Sequence, residues 1–137
     1  MNAHQVELVR QSFDAMWPIR KQLAHSFYDR FFALAPDARR LFPNDMERLH
    51  LKLMDAIAAI VGALDDRTRL QGIVSESGRH HAQIGAKPAH FVTFGDALIW
   101  CLERQFGPDF TPDVRAAWVA LYADVQSQMM RASRERS

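Results

Sequence analysis

Apolar residues recur every three or four positions along almost the whole chain, and no segment alternates apolar and polar residues over the length of a β-strand. That spacing places the apolar side chains on one face of an α-helix. Prolines and glycines divide the pattern into segments that are each long enough for several helical turns. The sequence therefore predicts an all-α fold whose helices are joined by short connections.

The expected helix ends follow from individual residues. A first helix should close at Pro18, which can also open the second because its missing N–H costs nothing at a first helical position. The second helix should end before Pro36, since a residue that precedes proline disfavours helical geometry. An apolar stripe over 49–64 predicts a third helix, and then Asp66 can cap a fourth that Gly85 stops. The remaining start and stop signals are Pro88, Gly107, Thr111 and Pro112.

Length and composition limit the kind of protein. The 137 residues should form one domain over 1–137, with a polar tail over 131–137 that frays. A net charge of +1 argues against binding to nucleic acid or to an acidic membrane surface. The N-terminus lacks a signal-peptide pattern, the longest apolar run (56–64) is too short to span a membrane, and the lone Cys101 excludes an internal disulfide. These features predict a cytoplasmic protein.

A pair of histidines near the end of the fourth predicted helix is the strongest chemical feature of the chain. His80 and His81 lie four and three positions before Ile84, so helical periodicity alone does not choose between them. A histidine on an apolar helix face is often a core residue bonded to a carbonyl. Here the adjacent positions offer no cysteine or carboxylate at zinc-site spacing, and the chain is rich in large apolar and aromatic residues. One imidazole in such surroundings suits a flat iron cofactor held by a single axial bond.

Two aromatic residues, Tyr28 and Phe42, also need an explanation. Tyr28 lies in an apolar stretch of the second predicted helix, and burying a phenol without a partner costs a few kcal/mol. Its hydroxyl should therefore either bond to a main-chain carbonyl or donate to a ligand inside the fold. Phe42 precedes Pro43 at a turn, where a large aromatic side chain is useful if it packs against something flat.

Four segments occur in an order and at a spacing that match one protein family. They are an apolar run around a tyrosine (24–32), a proline-to-phenylalanine corner (36–42), the segment 78–85 with Pro88 and Phe91, and the pair Trp118-x-x-x-Tyr122. With these segments the chain resembles bacterial single-domain globins and is similar to the globin domain of flavohaemoglobins over nearly its whole length. The resemblance implies a globin fold, in which the helices pack around a haem pocket.

The resemblance also implies roles for single residues. His81 would bind the iron of a non-covalently held haem b, Tyr28 would be the distal hydrogen-bond donor, and Phe42 would stack on the haem. Leu53 would be the apolar residue over the bound ligand. The full set of cofactor contacts that the resemblance implies is Phe42, Leu49, Lys52, Leu53, His81, Ile84, Phe91, Phe94 and Tyr122.

The distal side departs from the family pattern at one position. Leu49 falls where the family usually has glutamine or histidine, which leaves Tyr28 as the only evident distal donor. His50 is adjacent and should point about 100° away on the helix. A shift of one residue in the preceding loop would exchange the two, so the sequence leaves open whether Leu49 or His50 faces the distal pocket.

The proximal side departs from the pattern as well. In flavohaemoglobins a tyrosine and a glutamate usually orient the iron-bound histidine, whereas here Phe91 holds the tyrosine position and the glutamate position falls near Ser133. Neither residue supplies the acceptor that raises the basicity of the imidazole in that family. We therefore expect His81 to donate its other ring proton to a main-chain carbonyl or to water.

The resemblance thus implies a globin that binds oxygen reversibly, together with other diatomic ligands such as CO and NO, for oxygen storage, delivery or sensing. The alternative is a nitric oxide dioxygenase. Nothing in the chain resembles the Gly-rich segments of a flavin- and nicotinamide-binding module, so its turnover would need a separate reductase. A third hypothesis is a haem-based sensor, or a haemless interaction module with a globin fold. The oligomeric state stays open between monomer and homodimer.

Overall fold

The structure, a computed structural model, describes residues 1–135. Its α-helices in chain order are α1 (Ala3–Met16), α2 (Arg20–Leu34), α3 (Glu47–Gly62), α4 (Arg67–Gln83), α5 (Pro88–Phe106) and α6 (Pro112–Glu135). Three short 3-10 segments, Trp17–Ile19, Pro36–Leu41 and Gly107–Asp109, lie between them. Residues 1–135 form no β-strand, so the predicted all-α fold is confirmed.

Most helix ends form where local sequence signals predict them. Helix α2 ends shortly before Pro36. At the start of α4, Asp66 Oδ1 accepts a hydrogen bond of 3.1 Å from the Arg69 N–H, which satisfies one of the free donors of the first turn. Gly85 follows α4 with a φ of 87°, a left-handed conformation that glycine adopts without steric penalty. These signals place His81 in the last turn of α4.

The prediction that Pro18 is the first residue of α2 is wrong. Pro18 lies inside the 3-10 turn Trp17–Ile19, and α2 begins at Arg20. The Arg20 N–H donates to the Trp17 carbonyl, so the chain passes through one tight turn between the two helices. Proline suits this position because its fixed φ is compatible with the turn and no N–H is needed from it.

Residues 131–135, the described part of the predicted frayed tail, continue helix α6. Ala132 is only 3% exposed because it packs against α4. The approach is so close that a Cβ added at Gly78 of α4 would lie 3.0 Å from the Cβ of Ala132. This burial explains why the last turn is helical. Residues 136–137 of the predicted tail lie outside the described residues.

Helices α4 and α6 pack closely together. Helix α1 packs on α6, while α2 contacts both α3 and α5. Trp118 of α6, which is 1% exposed, donates its indole N–H to Ser12 Oγ of α1 at 2.8 Å and so satisfies a buried donor. Among the described residues, no helix is long and apolar enough to cross a membrane.

Candidate functional site

His81 is half-buried in the last turn of α4. Its Nδ1 lies 2.6 Å from the carbonyl oxygen of Ser77, one helical turn earlier, so Nδ1 carries the proton and donates it to that oxygen. The Ser77 carbonyl is the neutral main-chain acceptor that the sequence predicts. Burial is the main reason why the pKa of His81 lies below its ordinary value of 6.5. The imidazole is therefore neutral near pH 7, and the Nε2 lone pair can bind a metal.

The two neighbouring histidines have different surroundings. His80 is exposed, whereas the ring of His81 contacts Phe91 with their centroids 5.7 Å apart. Within the part of the chain that the structure describes, no three His, Cys, Asp or Glu side chains come together as a metal site. His81 therefore offers one bond from one imidazole, as an axial ligand of a porphyrin iron does.

Phe91 is held in place by α6. The Tyr122 hydroxyl donates to the Phe91 carbonyl at 2.5 Å, and burial raises the pKa of Tyr122 far enough to keep that donor protonated. The Tyr122 ring stacks on Phe94, with centroids 6.0 Å apart and an angle of 14° between the planes. Gly95 makes this arrangement possible, because a Cβ at this position would overlap the Tyr122 ring.

Ring contacts continue from Phe94 into α2. Phe94 meets Phe27 edge-on with centroids 4.5 Å apart, and Phe27 meets Tyr28 edge-on at 5.0 Å. Phe42, at the end of the Pro36–Leu41 segment, also contacts Tyr28 edge-on at 5.6 Å. Edge-to-face pairs at these distances are favourable beyond their buried area. Aromatic side chains thus connect the surroundings of His81 to those of Tyr28.

Tyr28 keeps a free hydrogen-bond donor inside the fold. The residue is 6% exposed, and burial raises the pKa of its phenol to about 12, so the hydroxyl stays protonated. No protein group in residues 1–135 forms a hydrogen bond with this hydroxyl. The bond to a main-chain carbonyl, one of the two interpretations drawn from the sequence, is therefore absent from the described structure. The other interpretation, a donor that faces a ligand, agrees with this geometry.

His50 lies against Tyr28, which bears on the choice between Leu49 and His50 that the sequence leaves open. Their rings stack with centroids 5.4 Å apart and an angle of 22° between the planes. His50 also meets His25 edge-on with centroids 5.6 Å apart, and His25 Nε2 lies 3.3 Å from Asp29 Oδ2. Burial, followed by the nearby His25, lowers the pKa of His50 and favours its neutral form. A second polar ring therefore lies beside Tyr28.

Comparison with known proteins identifies the family. The family model described as Globin matches residues 25–129. The chain belongs to the globin family. It is similar to the neuroglobins of Tetraodon nigroviridis (29% identity, 91% of this chain and 87% of the relative) and Danio rerio (28% identity, 90% and 87%). It is also similar to the flavohemoprotein of Bacillus subtilis (strain 168), with 24% identity over 85% of this chain and 30% of that protein.

Membership of the family implies that the chain is a haem-binding globin, and the observed residues fit that cofactor. His81 presents a neutral imidazole whose Nδ1 is already occupied by Ser77, which leaves Nε2 for iron. Phe91 and Phe42 would offer apolar surfaces to the cofactor, and the unpaired Tyr28 hydroxyl would offer one polar donor. A haem site needs this combination of one axial ligand, apolar walls and few polar groups.

The other residues predicted to contact the cofactor differ in burial. Leu53 is half-buried and packs against the core of the globin. Leu49 is half-buried, whereas Lys52 and Ile84 are exposed, Ile84 by 36% of its surface. Their roles in holding the haem stay predictions. The remaining residues of the predicted set take part in the ring contacts described above; they are Phe42, His81, Phe91, Phe94 and Tyr122.

Sequence reasoning missed His90, a buried polar residue at the start of α5. Its Nδ1 accepts a hydrogen bond from the Lys87 N–H at 2.9 Å, so its proton is on Nε2 and is donated to Asp37 Oδ2 at 3.1 Å. This bond ties α5, which carries Phe91, to the segment that leads to Phe42. The hydrogen bond from His90 is the first cause of the lowered pKa of Asp37. No local signal predicts the pair, because 53 positions separate its members.

Proposed function

We propose that this globin binds haem b through Nε2 of His81 and binds diatomic gases reversibly, chiefly oxygen, beside Tyr28. The role that follows is oxygen storage, delivery or sensing. The observation that carries the proposal is the pairing of two free polar atoms, Nε2 of His81 and the hydroxyl of Tyr28, on a network of packed aromatic rings. Bound haem supplies the iron to which a gas molecule attaches.

On the proximal side, Ser77 fixes the tautomer of His81. Its carbonyl oxygen lies 2.6 Å from Nδ1 and accepts the Nδ1 proton. The lone pair is therefore on Nε2, which points away from the helix. Phe91 packs against the imidazole and limits its rotation, and Tyr122 holds the backbone of Phe91. The chain thus orients the axial ligand before any cofactor binds, which reduces the ordering that binding requires.

On the distal side, Tyr28 can select ligands by their ability to accept a hydrogen bond. Its hydroxyl stays protonated because the pKa of the phenol is raised to about 12. A hydrogen bond in a dry pocket is stronger than the same bond in water. Oxygen, which becomes polar when it binds, should therefore be retained longer, whereas carbon monoxide is a weaker acceptor and should gain less.

The deciding experiment is an absorption spectrum of the purified protein, oxidised and reduced, with and without carbon monoxide. We expect the bands of b-type haem in the wild type, and their weakening or loss in His81→Ala. His80→Ala is the matched control, because His80 lies next in the chain but is exposed. A wild type that takes up no haem, or a haem loss in His80→Ala alone, would overturn the proposal.

A further inference from the structure

The side chain of Ser77 lies between the proposed iron ligand and helix α6. Its Oγ is 3.3 Å from Nδ1 of His81 and 3.9 Å from the thioether sulfur of Met129. The main-chain carbonyl oxygen of the same serine lies 2.6 Å from Nδ1 of His81 and already accepts its proton. One residue therefore presents two oxygen atoms to a single N–H group, and one of those oxygens also touches another helix.

The proton of the Ser77 hydroxyl decides what this side chain does for His81. A serine hydroxyl has one proton to donate and lone pairs with which it accepts. When the proton points to the Met129 sulfur, a weak acceptor, the lone pairs of Oγ remain for the Nδ1–H of His81. Without that sulfur, the hydroxyl can turn its proton to the carbonyl of the preceding turn, as helical serines often do.

Main-chain packing holds Met129 at this place. A Cβ added at Gly78, next to Ser77, would lie 2.5 Å from the carbonyl oxygen and 2.9 Å from the Cα of Met129. The backbones of α4 and α6 are thus in direct contact at this glycine, which only a residue without a side chain allows. The contact between the two backbones therefore fixes the main chain of Met129 relative to Ser77, and only the Met129 side chain is flexible.

We propose that Ser77 is a positioning residue for His81, and that Met129 sets the direction of the Ser77 hydroxyl so that α6 takes part in orienting the imidazole. The inference rests on the proposed function, since it concerns the residue that we assign to the iron. It goes beyond that function because the Ser77 hydroxyl and the Met129 thioether on another helix would help to orient the axial ligand.

The first test uses haem-free protein and measures the exchange rate of the Nδ1 proton of His81 by NMR. Ser77→Ala keeps the main-chain acceptor and removes only the hydroxyl, so exchange should become roughly three- to tenfold faster. Ser77→Thr keeps a hydroxyl and should restore the slow rate. Ser75→Ala, on the same helix and also half-buried, is the control that should change nothing. Equal exchange in Ser77→Ala and Ser75→Ala would overturn the role of the hydroxyl.

The second test uses haem-loaded protein and measures the iron–histidine stretching frequency of the reduced form. Ser77→Ala should lower it, because an imidazole that loses an acceptor is a weaker electron donor. Met129→Leu should shift it in the same direction by less, while Met130→Leu should leave it unchanged. If Met129→Leu behaves like Met130→Leu, the role of α6 is overturned. A wild type that binds no haem but still shows the slower exchange would overturn the proposed function and support the hydrogen bond.

Discussion

His81 and Tyr28 each keep one polar atom without a partner among the described residues, although both side chains are largely enclosed. His81 uses Nδ1 in a bond to Ser77 and leaves Nε2 free. Tyr28 is 6% exposed and has no hydrogen bond at its hydroxyl. Neither atom is one of the fully buried polar atoms without a partner in the described structure, so both keep accessible surface. Both are therefore available to bind a ligand.

Replacing Tyr28 with phenylalanine tests the distal atom. The change keeps the ring and its contacts with Phe27 and Phe42 and removes only the hydroxyl. A hydrogen bond to a polar ligand is worth about 1.5–3 kcal/mol, so oxygen should dissociate roughly ten- to a hundredfold faster, and carbon monoxide should change less. Stopped-flow measurement of both release rates checks this. An unchanged oxygen rate would show that another group is the donor, and His50, which stacks on Tyr28, is then the residue to replace.

The two half-buried imidazoles of His50 and His81 also predict how stability depends on pH. Burial lowers the pKa of His50 and of His81 below 6.5 in the folded protein, so below that value the unfolded chain binds more protons. The free energy of unfolding of the haem-free protein should therefore be highest above pH 6.5. It should decrease as the pH falls from 6.5 to the lowered pKa values of the two histidines. Denaturant titrations at about pH 8 and about pH 5 measure the difference.

The matched variants for this pH effect replace histidines with glutamine. His50→Gln combined with His81→Gln should remove most of the loss of stability between the two pH values. His4→Gln, at an exposed position near the N-terminus, should retain the loss. A double variant with the same pH dependence as the wild type would show that the loss of stability does not come from these two histidines.

Among the helices, the close contact between α4 and α6 depends on a single small residue. Gly78 lies where a Cβ would meet the backbone of Met129 at 2.5 Å. Gly72 lies on the same helix, but a Cβ there would meet nothing within 4 Å. The two glycines therefore separate the effect of close packing from the intrinsic preference of the helix for alanine.

Alanine at each of these positions should have opposite effects on stability. Gly78→Ala should lower the free energy of unfolding by about 1–3 kcal/mol, because the helices must move apart. Gly72→Ala should raise it by about 0.5–1 kcal/mol, since alanine loses less backbone entropy in a helix. Chemical denaturation of both variants checks the prediction. Similar effects at the two positions would mean that α4 and α6 approach less closely in solution.

The same contrast between local and distant causes explains which parts of the helices could be predicted. Pro36, Asp66 and Gly85 act through their own backbone or side chain, and the helix ends that they predict are observed. The helical residues 131–135 depend on the burial of Ala132 against α4, which no nearby residue signals. The contact of His50 with Tyr28 depends on the rotation of α3 about its axis, which local spacing does not determine.

At the level of the whole molecule, the resemblance of four separate segments predicted the family, and the family model that matches residues 25–129 confirms it. The partners of the site residues could not be predicted in the same way. The Tyr122 hydroxyl reaches the Phe91 carbonyl across 31 positions, and His90 reaches Asp37 across 53. Such contacts join different helices, so only the assembled fold defines them.

The acceptor behind His81 predicts what kind of globin this is. Its Nδ1–H donates to the neutral Ser77 carbonyl rather than to a carboxylate, which leaves the imidazole a weaker electron donor. A weaker donor gives less support to cleavage of an oxygen–oxygen bond, so we expect oxygen binding without efficient peroxidase turnover. The iron–histidine stretching frequency should lie nearer that of globins with a neutral histidine than that of peroxidases. Nitric oxide should be consumed in multiple turnovers only when a separate reductase is supplied. A peroxidase-like frequency together with repeated turnover of peroxide would instead make this protein an enzyme.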